Sequence, residues 1–535
     1  MEEIRIEDIK KRIQSGKTVL GIELGSTRIK GVLLTEEGEL IADGSHQWEN
    51  RLENGIWTYS MEAVWKGMQE CYGDLKTKVR EAYGAEIENI GGIGISAMMH
   101  GYLAFDGNDE LLVPFRTWRN TITEQASREL TKCFNYPIPQ RWSIAHLYQA
   151  VLNGEAHVKD IKYITTLAGY VHWMLTGERV LGVDDASGMF PVDAKTANYY
   201  TDMLDCFDQK ISDRSFPWKI REILPRPLLA GEQAGVLTEE GAGLLDPEGT
   251  LKAGIPLCPP EGDAGTGMVA TNSVKARTGN VSAGTSIFSM IVLEKELSNV
   301  YSEIDLVATP QGAPAAMVHC NNCTSDLNAW VNILKEFSDT FGFHISGDEL
   351  YGGLFRKALE GDKDCGGLVA CNYVSGEPVA GFAEGRPLFV RRQDGRFNLA
   401  NFIRTHLYAA FGTLKIGNDL LFDKEGVKVD VIWGHGGIFK TEGTAQKILA
   451  AALNTPVSVM KSAGEGGAWG IAVLALYMIN KKEGEALEDY LEKRIFQKAE
   501  SVTAAPEPED IEGFNQFMEN YKKGLMIEKA AVDAL

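Results

Sequence analysis

The chain has 535 residues, more than one hydrophobic core ordinarily supports, so at least two domains are expected. With 44% apolar and 24% charged residues it reads as a folded globular protein, not a disordered or fibrous one. A formal net charge of -21 without a basic stripe excludes broad binding to nucleic acid or to an anionic membrane surface, while a small anionic ligand stays open.

Met1 to Lys17 is charged and helix-like, unlike a secretory leader, and no apolar run reaches membrane-spanning length, so the chain reads as cytosolic. Val19 to Leu24, Ile29 to Thr35 and Glu39 to Ala42 then read as three successive strands, the first two joined by Gly25-Ser26-Thr27-Arg28. Glycine lets a backbone turn tightly and approach a polyanion, and the hydroxyls of Ser26 and Thr27 can donate to phosphate oxygens beside the backbone amides. Alone, such a turn more often makes a plain hairpin. Met61 to Ala82 follows as a helix with Trp65, Met68 and Leu75 on its apolar side, and Ile93 to Ala97 as a buried strand leading into Met99-His100-Gly101. A Met-His pair there reads as core packing with a satisfied histidine or as a ligand contact. Residues near Pro114 to Trp118, Ala145 to Val151 and Ile164 to Leu175 supply another strand and helices.

Near the midpoint, Gly262-Asp263-Ala264-Gly265 stands between the first turn and a similar one, Ala283-Gly284-Thr285-Ser286, which separates the apolar runs Ala276 to Val281 and Ile287 to Leu293. A second copy half a chain later reads as a duplicated domain with a shared cleft. Two phosphate-handling hairpins flanking a carboxylate point to a nucleotide-dependent phosphotransferase. Helices are expected around Asp326 to Phe337 and Phe402 to Asp423, and a strand at Val429 to Trp433 running into Gly434-His435-Gly436-Gly437. There the backbone can pass under a base or ribose, so adenosine contact is preferred over simple chain reversal; the spacing does not fit a dinucleotide fingerprint. The block Gly464 to Gly470 opens an apolar helix, and close helix packing is the favoured use of most of its glycines. The order suggests two α/β layers. Eight cysteines in so long a cytosolic chain are expected to be reduced thiols. His319-Cys320-Asn321-Asn322-Cys323 with Cys365 and Cys371 could be written as a zinc site, but the second spacing is wrong for a zinc ribbon and ordinary thiols are preferred.

In their joint order these segments resemble the FGGY family of carbohydrate kinases, within the actin and hexokinase superfamily. Gly21 to Gly31 resembles the family's first phosphate turn, Met99-His100-Gly101 the sugar-contact loop of xylulokinases, and Asp185-Ala186-Ser187-Gly188 a core segment. Gly262-Asp263-Ala264 resembles the catalytic motif, Gly284-Thr285-Ser286 the second phosphate turn, Tyr373 to Glu377 a second-domain loop, and Gly434 to Gly437 the adenosine segment. The resemblance implies two ribonuclease H-like α/β domains around an interdomain cleft for ATP and sugar: a helical extension at 1–17, an N-terminal domain at 18–265, a C-terminal ATP-binding domain at 266–485, and a helical tail at 486–535 split by Pro506-Glu507-Pro508.

Carried over residue by residue, the resemblance makes Asp263 the general base that accepts a sugar hydroxyl proton and a contact of the substrate. Gly25, Ser26, Thr27, Arg28, Gly284, Thr285 and Ser286 would hold phosphates, and Gly434, Gly436 and Gly437 adenosine. Met99, His100 and Trp118 would line the sugar, His100 by donating to a hydroxyl and Trp118 as a pocket wall or, equally, a core aromatic. The chain departs from the family at Glu23, where an aspartate near Mg²⁺ is usual; at Asn120, which replaces an acid after Trp118; and at Tyr408-Ala409, where Glu-Gly is usual. A ketopentose is the expected substrate, D-xylulose ahead of L-ribulose, with ATP and Mg²⁺ as cofactors and a homodimer as the family's common state. The rivals are a kinase for another sugar or polyol and a switch ATPase or inactive binder of the same superfamily.

Overall fold

Two sheets with the same internal strand order organise the protein, whose computed structural model describes residues 2–461 and 466–535. One compact unit takes 2–274, 306–315 and 466–498 of these residues, the other 275–305, 316–461 and 499–535. The division along the chain thus differs from a cut at 265 and again at 485. Residues 466–485 pack into the first unit, and the expected tail is shared, 486–498 with the first unit and 499–535 with the second. Gly464, within the late glycine block, lies outside the described residues.

In the first unit, β1 (Thr18–Leu24), β2 (Arg28–Thr35) and β3 (Leu40–Gln47) form an antiparallel meander. β1 also pairs in parallel with β4 (Gly92–Ala97), and β4 with β5 (Glu261–Gly262), giving the order β5-β4-β1-β2-β3. Six of the seven residues of β1 are buried, because helices cover both faces of the sheet. The helix Met61–Tyr83 turns Val64, Met68 and Leu75 inward; it starts where Ser60 accepts the Ala63 N–H and stops at Gly84 in the left-handed region. On β1 lies the helix Gly467–Asn480, so close that a Cβ on Gly21 would come within 2.2 Å of the Ala468 carbonyl. That helix is apolar on nearly every face, so its own pattern could not say which sheet it covers. The N-terminal helix Glu2–Gln14 buries Ile9 and Ile13 in the same core.

In the second unit, β6 (Thr278–Ala283), β7 (Ile287–Val292), β8 (Pro314–Cys320), β9 (Val431–His435), β10 (Val457–Met460) and β11 (Ser501–Ala504) run in the order β8-β7-β6-β9-β10-β11. β9 is parallel to β6 and β10 to β9. Five of these strands, β10-β9-β6-β7-β8, repeat the arrangement of the first sheet, so the duplication suggested by the two turns is present in the topology. β11, antiparallel to β10, is the strand that a purely helical tail missed; four residues just ahead of a proline pair leave almost no periodicity to read. In the helix Leu399–Asp419, Tyr408 is buried against Phe514 and Phe517 of the C-terminal helix Pro508–Ala534, at ring distances of 4.4 and 5.3 Å. The departure at Tyr408-Ala409 therefore serves packing.

Six cysteines are buried free thiols, but Cys133 and Cys206 form a disulfide between the helices Glu124–Phe134 and Thr201–Lys210. Seventy-three residues separate them, so the chain alone carried no sign of their proximity. Among the described residues no helix is long and apolar enough to cross a membrane.

Candidate functional site

The first glycine turn closes the β1–β2 hairpin, where Leu24 pairs with Ile29 and the Gly25 N–H donates to Arg28 O at 3.0 Å. Three aromatic residues hold it. The Trp48 indole donates to Gly25 O at 2.8 Å, the Tyr59 hydroxyl to Ser26 O at 2.6 Å, and the Trp118 indole to Ser26 Oγ at 3.1 Å. Ser26 Oγ accepts in that bond and keeps its own proton to donate. Thr27 and Arg28 are exposed. Trp118, itself 36% exposed, thus stands beside the first glycine turn.

Glu23, next to this turn, is half-buried, and its carboxylate accepts the Ala468 N–H at the start of the helix Gly467–Asn480. A Cβ on Gly467 would lie 2.3 Å from Glu23 Oε1, so the longer acid fits because residue 467 is glycine. Burial first and the charge of Asp263 second push its pKa up to about 7. Among the described residues no group of three or more His, Cys, Asp or Glu could hold a metal by itself. One or two carboxylates beside a phosphate turn are nonetheless the donor set that Mg²⁺ uses, with substrate phosphates and water completing its shell.

Asp263 is the first residue of the helix Asp263–Ala270 and follows β5 directly. Its Oδ1 accepts the Met99 N–H at 3.1 Å, which joins the carboxylate to the loop leaving β4. Asp263 is open to solvent, yet the protein packed around its carboxyl raises its pKa, opposed by N–H donation from Met99 and Ala264 and by the charge of Arg141. Asp263, Met99 and His100 are therefore gathered at the carboxyl ends of parallel strands, where open α/β sheets bind ligands. Met99 and His100 are each only 4% exposed. His100 adopts φ 72°, and its Nδ1 lies 3.2 Å from Gly188 O, a carbonyl that can only accept. A proton on Nδ1 donates to that carbonyl and leaves Nε2 of a neutral ring as an acceptor, whereas the imidazolium donates from both nitrogens.

Asn120 makes a structural clamp. Its Oδ1 accepts the Trp57 N–H at 2.8 Å, and its Nδ2 donates to Trp57 O at 2.8 Å and Thr117 O at 3.0 Å, as a paired strand would. A carboxylate could not donate to either carbonyl. Asn120→Asp is expected to cost about 2 kcal/mol of stability, measured by urea unfolding, because the Trp57 and Thr117 carbonyls each keep a backbone donor but lose the Asn120 amide and face a charge at a buried position.

In the second unit, Gly284 and Thr285 are exposed at the β6–β7 turn, where the Gly284 N–H donates to Ser286 O at 2.9 Å. Cys323 and Thr324 brace that turn: the Cys323 N–H donates to Thr285 O at 2.9 Å and the Thr324 hydroxyl to Gly284 O at 2.8 Å. Behind them, Asn322 Nδ2 donates to Glu377 Oε2 at 3.0 Å, and burial pushes Glu377 up to about 7. Thus Cys323, from the segment with a zinc-like spelling, and Glu377 belong to the support of the second glycine turn. Gly436, at φ 109°, crosses the end of β6 so closely that a Cβ would meet Ala283 O at 2.2 Å. Gly434 is buried under the Phe439 ring, whereas Gly436 and Gly437 are exposed, so a ligand can reach only the latter two glycines.

Four groups escaped the sequence reading: Arg141, the Cys323-Thr324 brace, and the buried acids Asp184 and Glu261 beside Asp263. Two consecutive acids set between Leu181-Gly182-Val183 and Ala186 were the available signal, since charge inside an apolar run is either paired or functional.

Residues 18–269 match the N-terminal domain, and residues 279–479 the C-terminal domain, of the FGGY family of carbohydrate kinases. The chain belongs to that family. A xylulose kinase from Haemophilus influenzae is 23% identical over 440 residues, which cover 80% of this chain and 83% of that protein. Among solved structures, a gluconate kinase from Lactobacillus acidophilus superposes with a TM-score of 0.77 at 18% identity, covering 96% of this chain and 98% of that one. A xylulose kinase from the same organism gives 0.76 at 17% identity, with the same coverage. At such identities the structural likeness establishes the fold, that of the actin and hexokinase-like kinases.

Proposed function

We propose that the protein transfers the terminal phosphoryl group of ATP to a hydroxyl of a ketopentose, D-xylulose before L-ribulose, giving the sugar 5-phosphate. The observation that carries this reading is the 3.1 Å bond from the Met99 N–H to Asp263 Oδ1, which ties the candidate base to the loop that resembles the xylulokinase sugar contact. In this reading Asp263 accepts the hydroxyl proton as the sugar oxygen attacks phosphorus, and the bond to the ADP oxygen breaks. His100 donates a hydrogen bond to a sugar hydroxyl. The amides and hydroxyls of the two turns hold phosphate oxygens, and Gly436 and Gly437 pass beneath adenosine.

Glu23 is the residue assigned to Mg²⁺, directly or through a bound water; when bound, the ion supplies neutralisation of phosphate charge. Glu23→Gln is expected to raise the Mg²⁺ concentration needed for half-maximal rate about tenfold, read from a magnesium titration of activity. An unchanged titration would remove Glu23 from the metal site. The reading as a whole is tested by coupled ADP release with ketopentoses, ketohexoses, polyols and gluconate. Stimulation by one pentulose supports it, stimulation by another sugar reassigns the substrate, and equal release with and without every sugar favours a switch ATPase.

A further inference from the structure

The helix Asp263–Ala270 starts on the candidate base itself, so Gly262 is its N-cap and Gly265 the third residue of its first turn. A glycine cap has no side chain to receive the N–H groups that a first turn leaves unpaired. The missing oxygen comes from a distant part of the chain: Asp184 Oδ2 accepts the Gly262 N–H and the Gly265 N–H, each at 3.1 Å. These two bonds bracket Asp263. Both donors are glycines for a steric reason, since a Cβ would lie 3.0 Å from Asp184 Oδ2 at position 262 and 2.5 Å from it at position 265.

Asp184 is fully buried and held in place. It sits in the short helix Val183–Ser187, where the Ser187 hydroxyl donates to Asp184 O at 2.6 Å and accepts the Ala308 N–H at 2.9 Å. Its neighbours are acids as well. Asp185 Oδ2 accepts the Thr166 hydroxyl at 2.5 Å, and Glu261 Oε2 accepts the Asp185 N–H at 3.2 Å. Burial and mutual repulsion raise the pKa of Asp184 and Glu261 well above the carboxylate range. So many buried acids are costly to assemble.

We propose that Asp184 is a positioning residue for phosphoryl transfer: it caps, from outside the helix, the turn that carries Asp263 and so keeps that carboxylate in register with the Met99 loop. The inference rests on the kinase reading above, because it gives Asp263 a reaction in which placement matters. A misplacement of about 1 Å costs on the order of a hundredfold in rate.

The test is a cycle of variants: Asp184→Ala, Gly265→Ala, the two combined, and Asp184→Asn. Each single alanine is expected to lower kcat about a hundredfold while the KM for ATP stays within about twofold. The double variant is expected to be no slower than Asp184→Ala, because the new methyl then occupies the space the carboxylate vacated. Asp184→Asn, which keeps an acceptor oxygen, is expected to recover most of the rate. Additive losses in the double variant, or full kcat in folded Asp184→Ala, would overturn the proposal; so would a lower melting temperature with no split between kcat and KM. If the unmodified protein phosphorylates no sugar, the kinase reading fails by itself, and amide exchange still decides the cap. Protection of the Gly262 and Gly265 N–H groups that disappears in Asp184→Ala upholds the cap, and equal exchange in both proteins refutes it.

Discussion

Asp263→Asn is expected to lower sugar-dependent ADP release by about a thousandfold, with ATP affinity within about twofold of the unmodified protein. Asparagine has the same shape, and its oxygen can still accept the Met99 N–H, so the loop and the helix start keep their geometry. What disappears is the proton acceptor. The stability sign is also defined: the pKa of Asp263 is raised in the folded state, so its ionised form opposes folding above the ordinary aspartate pKa. The asparagine variant should therefore melt no lower than the original near neutral pH. A variant that is inactive and also unfolds early would mean that Asp263 holds the structure rather than the reaction.

The largest loss of stability is expected away from the site. Lys76, on the helix Met61–Tyr83, keeps only 3% of its side chain exposed and donates to Asp246 Oδ1 at 2.7 Å, Glu248 Oε2 at 2.9 Å and Thr250 Oγ1 at 2.8 Å. Asp246 is equally buried. Lys76→Met would leave that carboxylate without its cation, and about 3–5 kcal/mol of unfolding free energy should be lost at pH 7. The pair lowers the pKa of Asp246, so the stabilisation is complete above the ordinary aspartate pKa and fades as pH falls through the lower folded value. Urea unfolding at pH 7 and again in strong acid checks both statements: the gap between the proteins should be wide in the first and narrow in the second. A loss under about 1 kcal/mol at pH 7 would show that Thr250 and Leu251, which also donate to Asp246, suffice alone.

Much of the architecture was legible because it is local. The two hairpins, the helix at Met61–Tyr83 and the strand before Met99 are spelled by apolar runs and, in the hairpins, by glycine turns, and they fall where those signals put them. What could not be read is whatever depends on meetings between distant segments. The helix Gly467–Asn480 covers β1, although more than four hundred residues separate them, and the pairing of Cys133 with Cys206 is equally silent in the chain. The candidate site divides the same way. Asp263 and the turns stood out by composition, whereas Asp184 acquires meaning only when its oxygen is found between two glycine amides. Asn120 shows the converse: it stood out as a departure from the family beside Trp118, and its amide is spent on the backbone of Trp57 and Thr117.

The most direct test of the central claim is phosphorus NMR of the protein incubated with Mg²⁺-ATP and D-xylulose, with L-ribulose in parallel. The account predicts a new phosphomonoester resonance, coupled to the protons of carbon 5, that grows in step with ADP and is missing with Asp263→Asn. Growth of inorganic phosphate alone, at the same rate with and without any sugar, would contradict it and leave an ATPase on a kinase fold.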